Sequence, residues 1–133
     1  MTSPDPARKA VAIVGPSGSG KTELICRLLP WIEAQGLRVA LAKHTHKSSV
    51  ADEGKDTWRY RRAGARLVAL AAPGLLQITR SLPEDPPLAQ VLSALAPEAD
   101  LILVEGYKHG PLPKVAVLEP SAAGSPPPYP GVI

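Results

Sequence analysis

Five continuous apolar runs, each bounded by turn-forming residues, dominate the pattern along this chain. They lie at residues 10–14, 38–42, 66–72, 101–104 and 115–118. None of them alternates apolar with polar residues, so the pattern predicts strands that are buried on both faces, as in a parallel sheet. A shorter run at 76–79 predicts a weaker strand, which we expect to pair with the preceding run across Pro73 and Gly74.

Helical spacing fills the segments between these runs. The first helix is predicted to begin after Gly20 and to end near Gly36, because its apolar residues share one face. These residues are Leu24, Ile25, Leu28, Leu29 and Ile32. Further helices are predicted at 56–64 and 88–96, and strands that alternate with helices indicate an α/β fold. We expect Cys26, the single cysteine of the chain, to be buried in the first helix.

The length of 133 residues predicts a single domain over 1–133. Within it, 1–9 is expected to be an N-terminal tail. Residues 119–131 are expected to form a Pro-rich loop, since four prolines at 126–130 cannot sustain a helix. The final Gly-Val-Ile resembles the start of another strand, so we expect the sequence to stop before its domain does.

Charge and hydropathy argue against two kinds of partner. The net charge of +3 suits an anionic small molecule as well as nucleic acid, but the chain has no run of Lys and Arg with interleaved aromatic residues. The apolar run at 10–14 has five residues, fewer than the roughly 7–15 of a secretion signal. No run approaches the ~20 residues of a membrane span. We therefore expect a cytoplasmic protein that binds neither nucleic acid nor a membrane.

The clearest chemical signal is the segment GPSGSGKT, which matches the phosphate-loop motif G-x-x-x-x-G-K-[ST] between a predicted strand and a predicted helix. Its glycines allow successive backbone N–H groups to point at phosphate oxygens. Lys21 is expected to reach the β- and γ-phosphates, and Thr22 to offer its hydroxyl to Mg²⁺. The predicted nucleotide-binding residues are Gly15, Pro16, Ser17, Gly18, Ser19, Gly20, Lys21 and Thr22. Motif and pattern together predict a P-loop NTPase-like three-layer sandwich with a mostly parallel central sheet.

Glu105 follows the apolar run 101–104, at the carboxyl end of a predicted strand. In phosphate-loop proteins an acid at this position helps to hold Mg²⁺ directly or through water, although an ordinary strand-end carboxylate would show the same pattern. Glu105 is therefore a candidate Mg²⁺ ligand and a candidate catalytic residue.

The residue types do not indicate which base is bound. The chain contains no Asn, which rules out the Asn-Lys-x-Asp signature of the switch GTPases, and it contains no Asp-x-x-Gly. No Gln lies in the motif segments to orient an attacking water, as the switch GTPases require, and Glu105 could serve only where it is not engaged at the metal.

A second polar segment, 43–62, follows the second predicted strand. His44 and His46 are two residues apart and point the same way in an extended chain. They either contribute to a metal site or line the cleft as polar groups, which makes His44 a candidate ligand-binding residue. Lys43 and Lys47 either contact an anionic ligand or are solvated.

The remaining candidates lie on the second predicted helix and after the strand that ends at Glu105. Asp56 is expected either to be the N-cap of that helix, worth about 1 kcal/mol, or to contact Mg²⁺ or substrate as a metal ligand and catalytic residue. Arg59 and Arg62 share one helical face, where they are either solvated or bound to phosphate. Lys55 and Lys108 are further candidates for binding the nucleotide. We expect all of them at the carboxyl edge of the sheet, where open α/β sheets bind ligands.

Several of these segments together resemble one family, the molybdopterin-guanine dinucleotide biosynthesis protein B (MobB) family. The resembling segments are GPSGSGKTEL, GLRVALAKHTHK, GKDTWRYRRAGA and DLILVEGYKHGPLPKV. The phosphate loop alone is shared with many unrelated enzymes. Its combination with K-H-x-H, G-K-D-[ST] and V-E-G-[YF]-K-H is much more specific.

The resemblance implies a GTP-binding adapter in molybdenum cofactor biosynthesis, which assists a partner guanylyltransferase that attaches GMP to molybdopterin. It also implies a homodimer that hydrolyses GTP slowly, with GTP on Gly15 to Thr22 and Mg²⁺ near Thr22 and Glu105. Whether molybdopterin itself binds this chain is left open. The alternative is a P-loop small-molecule kinase that uses ATP, although such kinases need a lid over the acceptor, and only 43–62 is placed to move.

Overall fold

A computed structural model of the protein describes residues 4–47, 52, 54–118, 124 and 129–133. The chain divides into two compact units. The first, Met1–Thr45 with Pro87–Ile133, is called the sheet unit here, and the second, His46–Pro86, the hairpin unit. The prediction of one domain over 1–133 stays a prediction, because this division reflects contact density and not independent folding.

Strands and helices alternate along most of the described chain. The strands are β1 (Ala10–Val14), β2 (Val39–Lys43), β3 (Leu67–Ala72), β4 (Leu75–Arg80), β5 (Leu101–Glu105) and β6 (Lys114–Ala116). The helices are α1 (Lys21–Ala34), α2 (Asp56–Arg62) and α3 (Leu88–Leu95), with 3-10 helices at Pro6–Lys9 and Ala96–Glu98. Each predicted strand and helix is present to within a few residues at either end.

The sheet unit is built on a four-stranded sheet in the order β2-β5-β1-β6, in which all neighbours are parallel. Successive residues of β1 and β5 enter two separate cores, one on each face of the sheet. The core on the α3 face contains Ala10, Ala12, Val14, Leu92, Ala99, Ile102, Val104 and Leu112. The core on the α1 face contains Ile13, Ile25, Ile32 and Leu103. The sheet therefore lies between α1 and α3, which confirms the predicted three-layer α/β sandwich.

The hairpin unit corrects one expectation about the sheet. The run 66–72 was expected to be a buried strand of the parallel sheet, and this is wrong. β3 pairs antiparallel with β4 in a separate two-stranded sheet, as expected for the weaker run at 76–79. Its apolar side chains are largely exposed, so a continuous apolar run here does not mean burial on both faces within this chain.

Two expectations about helices are also wrong. Asp56 is the first residue of α2 and not its N-cap, because Lys55 takes the extended N-cap conformation and makes no side-chain cap hydrogen bond. Cys26 is exposed. Ile25 and Ile32 are seven residues apart and point into the core, so the residue after Ile25 is rotated by about 100° toward solvent.

The segments near the two ends of the chain are partly described. Of the expected tail 1–9, Pro6–Lys9 is a 3-10 helix, and Lys9 Nζ donates hydrogen bonds to the carbonyls of Ala96 (2.8 Å) and Ala99 (2.5 Å). Most of the expected Pro-rich loop, 119–123 and 125–128, lies outside the described residues. The strand expected at the last residues is a single parallel bridge between Lys114 and Val132.

None of the helices in the described part of the chain is both long enough and apolar enough to span a membrane.

Candidate functional site

The phosphate-loop motif lies where the sequence predicts it, between β1 and α1. Gly15, Gly18 and Gly20 all have positive φ angles, which curl the backbone into a loop that side-chain-bearing residues rarely adopt. At Gly15 the constraint is also steric, because a Cβ atom there would collide with the carbonyl oxygen of Val117. The loop leads directly into the N-terminus of α1, whose free N–H groups and dipole favour an anion.

A cavity of about 360 Å³ opens beside this loop, which is within the size range of small-molecule sites. Its lining combines the loop, the start of α1 and the ends of two strands: Ser17, Gly18, Gly20, Lys21, Thr22, Glu23, Lys43 and Glu105. The structure thus brings Glu105 to the loop, as the sequence predicts. It also places Lys43 in the lining of this cavity, while its contact with a ligand stays a prediction.

Lys21 is held across its own loop. Its Nζ donates hydrogen bonds to the carbonyl oxygens of Gly15, at 2.7 Å, and Pro16, at 3.0 Å. The ammonium group is therefore positioned at the loop, where binding of a phosphate oxygen would require these two contacts to be exchanged or shared.

Glu105 and Lys43 are the last residues of two adjacent parallel strands and are register partners. The backbone N–H of the next residue, His44, donates to the carbonyl of Glu105 at 2.9 Å. Glu105 Oε1 lies 3.9 Å from Lys43 Nζ, and the side chains are 13% and 64% exposed, respectively. An ion pair this long and this exposed contributes little to stability.

His44 stacks on Tyr107, with ring centroids 4.3 Å apart and an interplanar angle of 23°. Tyr107 has a positive φ of 53°, an uncommon conformation for a residue with a bulky side chain. A Cβ atom on Gly106 would lie 2.9 Å from the Cβ of His44, so the stack requires glycine between Glu105 and Tyr107. The sequence did not predict a role for Tyr107, whose only signal was its place in the EGYKHG segment.

The residues of this cavity fit a Mg²⁺ ion that is held jointly by the protein and by the phosphates of a nucleotide. Within the described residues, no group of three or more His, Cys, Asp or Glu side chains could hold a metal. Mg²⁺, however, is usually bound by one or two carboxylates together with phosphates and water. Thr22 and Glu105 line one cavity and supply hard oxygen ligands of this kind.

Four of the predicted residues lie in the hairpin unit, at or within α2: Lys55, Asp56, Arg59 and Arg62. The guanidinium of Arg62 lies 5.1 Å from the ring centroid of Trp58, a cation–π contact, and Arg59 is exposed. The roles of these four residues toward a ligand stay predictions. So does that of Lys108, which is exposed in the turn after β5 and does not line the cavity.

The half-buried arginine of α2 is Arg61, which the sequence did not single out. Its Nη2 lies 2.5 Å from Asp52 Oδ1, and the hydroxyl of Thr57 donates to Asp52 Oδ2 at 3.1 Å. The hydrogen bond from Arg61 is the main reason why the pKa of Asp52 is lowered. These contacts tie Asp52 to α2 within the hairpin unit.

A parallel sheet between two helices, with a glycine-rich phosphate-loop motif between the first strand and the first helix, defines a P-loop NTPase-like α/β protein. The particular family follows from sequence comparison. A profile of the family described as molybdopterin guanine dinucleotide synthesis protein B matches residues 10–130. The chain belongs to this family, which confirms the resemblance noted above.

Individual relatives agree with this assignment. The molybdopterin-guanine dinucleotide biosynthesis adapter protein of Haemophilus influenzae is 39% identical over 107 residues, covering 79% of this chain and 60% of that protein. The Escherichia coli protein of the same name is 36% identical over 114 residues, covering 83% and 65%. The chain thus spans somewhat less than two thirds of the length of these curated relatives.

Solved structures share the fold. The MobB protein homolog from Bacillus stearothermophilus is 32% identical with a TM-score of 0.64, covering 84% of this chain and 64% of that one. A crystal structure of Bacillus subtilis MobB is 34% identical with a TM-score of 0.70, covering 84% and 68%.

Proposed function

We propose that this chain binds GTP with Mg²⁺ and acts as an adapter, assisting a partner nucleotidyltransferase that attaches GMP to molybdopterin. The observation that carries the proposal is the single cavity shared by Lys21, Thr22 and Glu105. It contains the phosphate-binding and metal-binding groups of a P-loop site. The choice of guanine and of an adapter role rests on the names of the relatives.

In this proposal the loop binds the phosphates through its backbone N–H groups, with the N-terminus of α1 adding a partial positive charge. Lys21 exchanges part of its contact with the carbonyls of Gly15 and Pro16 for phosphate oxygens. Thr22 and Glu105 would hold Mg²⁺, which neutralises phosphate charge when bound.

The same cavity is poorly equipped for hydrolysis. Its acidic lining residues are Glu23 and Glu105. Glu23 accepts a hydrogen bond from Arg27 at 2.8 Å, and Glu105 would be engaged at the metal. Since no Gln among the described residues lines the cavity to orient an attacking water, we expect the site to bind its nucleotide and to hydrolyse it slowly.

The hairpin unit supports a homodimer as part of this proposal. Leu75, Leu76 and Ile78 on β4 are 74%, 67% and 59% exposed. A two-stranded sheet alone is marginally stable in water, and clustered exposed apolar side chains mark an interaction surface. A second copy of the chain, which presents the same apolar strands, would cover them.

The adapter role is tested by measuring GMP attachment to molybdopterin by the partner nucleotidyltransferase, with and without this protein. The wild-type protein is expected to raise the rate, and Lys21→Ala to raise it much less, while free phosphate accumulates slowly in both reactions. An exposed control, Arg8→Met at the opposite end of β1, should behave as the wild type.

Two results would contradict the proposal. One is a partner reaction that proceeds at the same rate with wild type, with Lys21→Ala and with no added protein. The other is rapid ATP-dependent phosphorylation of a small-molecule acceptor, at the roughly 1–100 per second typical of kinases, which would favour the kinase alternative.

A further inference from the structure

Lys43 is a second lysine of the phosphate-loop cavity, and its situation differs from that of Lys21. Lys21 is hydrogen-bonded to two loop carbonyls. Lys43 approaches Glu105 only to 3.9 Å, which is longer than a hydrogen bond. With 64% of its side chain exposed and a flexible four-carbon stem, Lys43 can change partner at little cost.

The backbone beneath Lys43 is fixed, in contrast to its side chain. Lys43 and Glu105 are aligned by the β2–β5 ladder, which continues into the bond between the His44 N–H and the Glu105 carbonyl. The stack of His44, the residue after Lys43, on Tyr107, two residues after Glu105, adds a side-chain contact between the same two strand ends. The two strand ends are thus held together, so a change of partner by Lys43 requires its side chain alone to move.

We propose that Lys43 makes this site select nucleoside triphosphates over diphosphates: its ammonium group lies near Glu105 in the absence of ligand and moves to the terminal phosphate when Glu105 turns to Mg²⁺. The inference rests on the proposed function, because it takes the cavity to be a nucleotide–Mg²⁺ site. It adds a residue that neither the loop motif nor the charge pattern assigned to the nucleotide.

The charges of the cavity explain why Lys43 would exchange Glu105 for the terminal phosphate. A carboxylate cannot serve a lysine and a divalent cation equally well, because the two cations compete for the same oxygens and repel each other. Once Glu105 faces Mg²⁺, the ammonium group of Lys43 is left inside a cavity that holds phosphate oxygens. A diphosphate lacks the terminal group, so Lys43 keeps Glu105 as its partner and gains nothing from the ligand.

The test is calorimetric titration of the full chain with GTP and with GDP, each with Mg²⁺, for wild type, Lys43→Met, Lys43→Arg and Arg8→Met. Lys43→Met is expected to bind GTP about tenfold more weakly, as for a lost charge-assisted phosphate contact, and to bind GDP as tightly as the wild type or more tightly, because Glu105 is then free for Mg²⁺. Lys43→Arg should retain the preference for GTP. Arg8→Met removes the same charge at the other end of β1 and should match the wild type.

A second arm uses Mn²⁺ alone, followed by electron paramagnetic resonance without nucleotide. Removing the competing ammonium group in Lys43→Met should tighten Mn²⁺ binding severalfold, and Glu105→Gln should weaken it in either background.

The outcomes separate this inference from the function on which it rests. Wild type that binds GTP, with equal losses for GTP and GDP in Lys43→Met or unchanged Mn²⁺ affinity, overturns the role of Lys43 and leaves the proposed function intact. Wild type that binds neither nucleotide overturns both.

Discussion

Lys114 shows how strongly a single side chain can organise the loop that follows Glu105. It is 1% exposed on β6, and its Nζ donates to the carbonyl oxygens of Gly110, at 2.6 Å, and Leu112, at 3.1 Å. Buried polar groups are costly unless they are hydrogen-bonded. Two of the three N–H groups of the ammonium are thus paired with these carbonyls, which ties the turn between β5 and β6 to Lys114.

Lys114→Met keeps an unbranched side chain, one atom shorter, but leaves these carbonyls without a donor. We expect the free energy of unfolding to fall by about 1–3 kcal/mol, the usual penalty for an unsatisfied buried polar group. Urea denaturation measures it, with Lys108→Met as the exposed control from the same turn. An equally stable Lys114→Met variant would show that the ammonium group is dispensable.

Asp52 should make the stability of the hairpin unit depend on pH. The hydrogen bond from Arg61 holds the pKa of Asp52 below its ordinary value of 3.8. The folded state therefore binds this proton less readily than the unfolded state. The stabilisation is present above the ordinary pKa and is lost as the pH falls through the lower folded-state pKa.

Asp52→Asn should accordingly be less stable than the wild type near neutral pH, and the difference should shrink as the pH falls below 3.8. Unfolding followed by circular dichroism between neutral and acidic pH measures this difference. Glu84→Gln changes the same charge on an exposed residue of the same unit and should track the wild type. A constant difference between Asp52→Asn and wild type at every pH would contradict the account.

Residue-level prediction from the sequence worked best where a motif constrains the backbone. The loop from Gly15 to Thr22 and its neighbour Glu105 were predicted together because both lie at carboxyl ends of strands, which meet at one edge of a parallel sheet. The role of Lys43 could not be predicted, since a lysine at the end of a strand is as readily solvated as bound to a ligand. Tyr107 was missed because its stack on His44 depends on the three-dimensional pairing of β2 with β5.

At the scale of elements, β2 and β5 show how position in the sheet decides burial. Their register partners Leu41 and Leu103 are both leucines in continuous apolar runs, yet Leu41 is 43% exposed and Leu103 is 4% exposed. β5 has a neighbour on each side, whereas β2 lies at one end of the sheet that the described strands form. An apolar run predicts a strand but does not reveal this order.

This pair gives a matched stability test. Leu103→Ala should cost about 2–5 kcal/mol, because it removes a buried side chain and leaves a cavity against α1. Leu41→Ala should cost less than about 1 kcal/mol, since less apolar surface returns to water. Urea denaturation of the two variants compares them directly, and equal losses would contradict the assigned strand order.

For β3 and β4, the sequence predicted the pairing of the two strands correctly but assigned β3 to the wrong sheet. The pairing of the run 76–79 with the run before it followed from the Pro73–Gly74 turn and is confirmed. Membership of the parallel sheet was inferred for 66–72 from the absence of alternation and is wrong. Apolar residues on both faces of a strand indicate burial. In the proposed dimer, a second copy of the chain buries those of β3 and β4, so they need not belong to a core within one chain.

At the scale of the whole molecule, the dimer proposal makes a prediction about the hairpin unit. Ile78→Lys places a charge among exposed apolar side chains and should shift the protein toward monomer at micromolar concentrations. Ser81→Lys adds the same charge just beyond β4 and should leave the assembly unchanged. Sedimentation velocity over a concentration series measures the shift. A wild-type protein that is monomeric throughout, or a variant as dimeric as the wild type, would argue against this surface.

The central claim about the whole molecule is that the cavity formed by the phosphate loop and Glu105 holds GTP with Mg²⁺. Its most direct test is calorimetric titration of the wild-type protein with GTP and with ATP, each with Mg²⁺, beside Lys21→Ala. We expect GTP to bind more tightly than ATP, and Lys21→Ala to lose that binding while it remains folded. Equal or tighter binding of ATP would contradict the guanine assignment, and full GTP binding by Lys21→Ala would show that the nucleotide binds elsewhere.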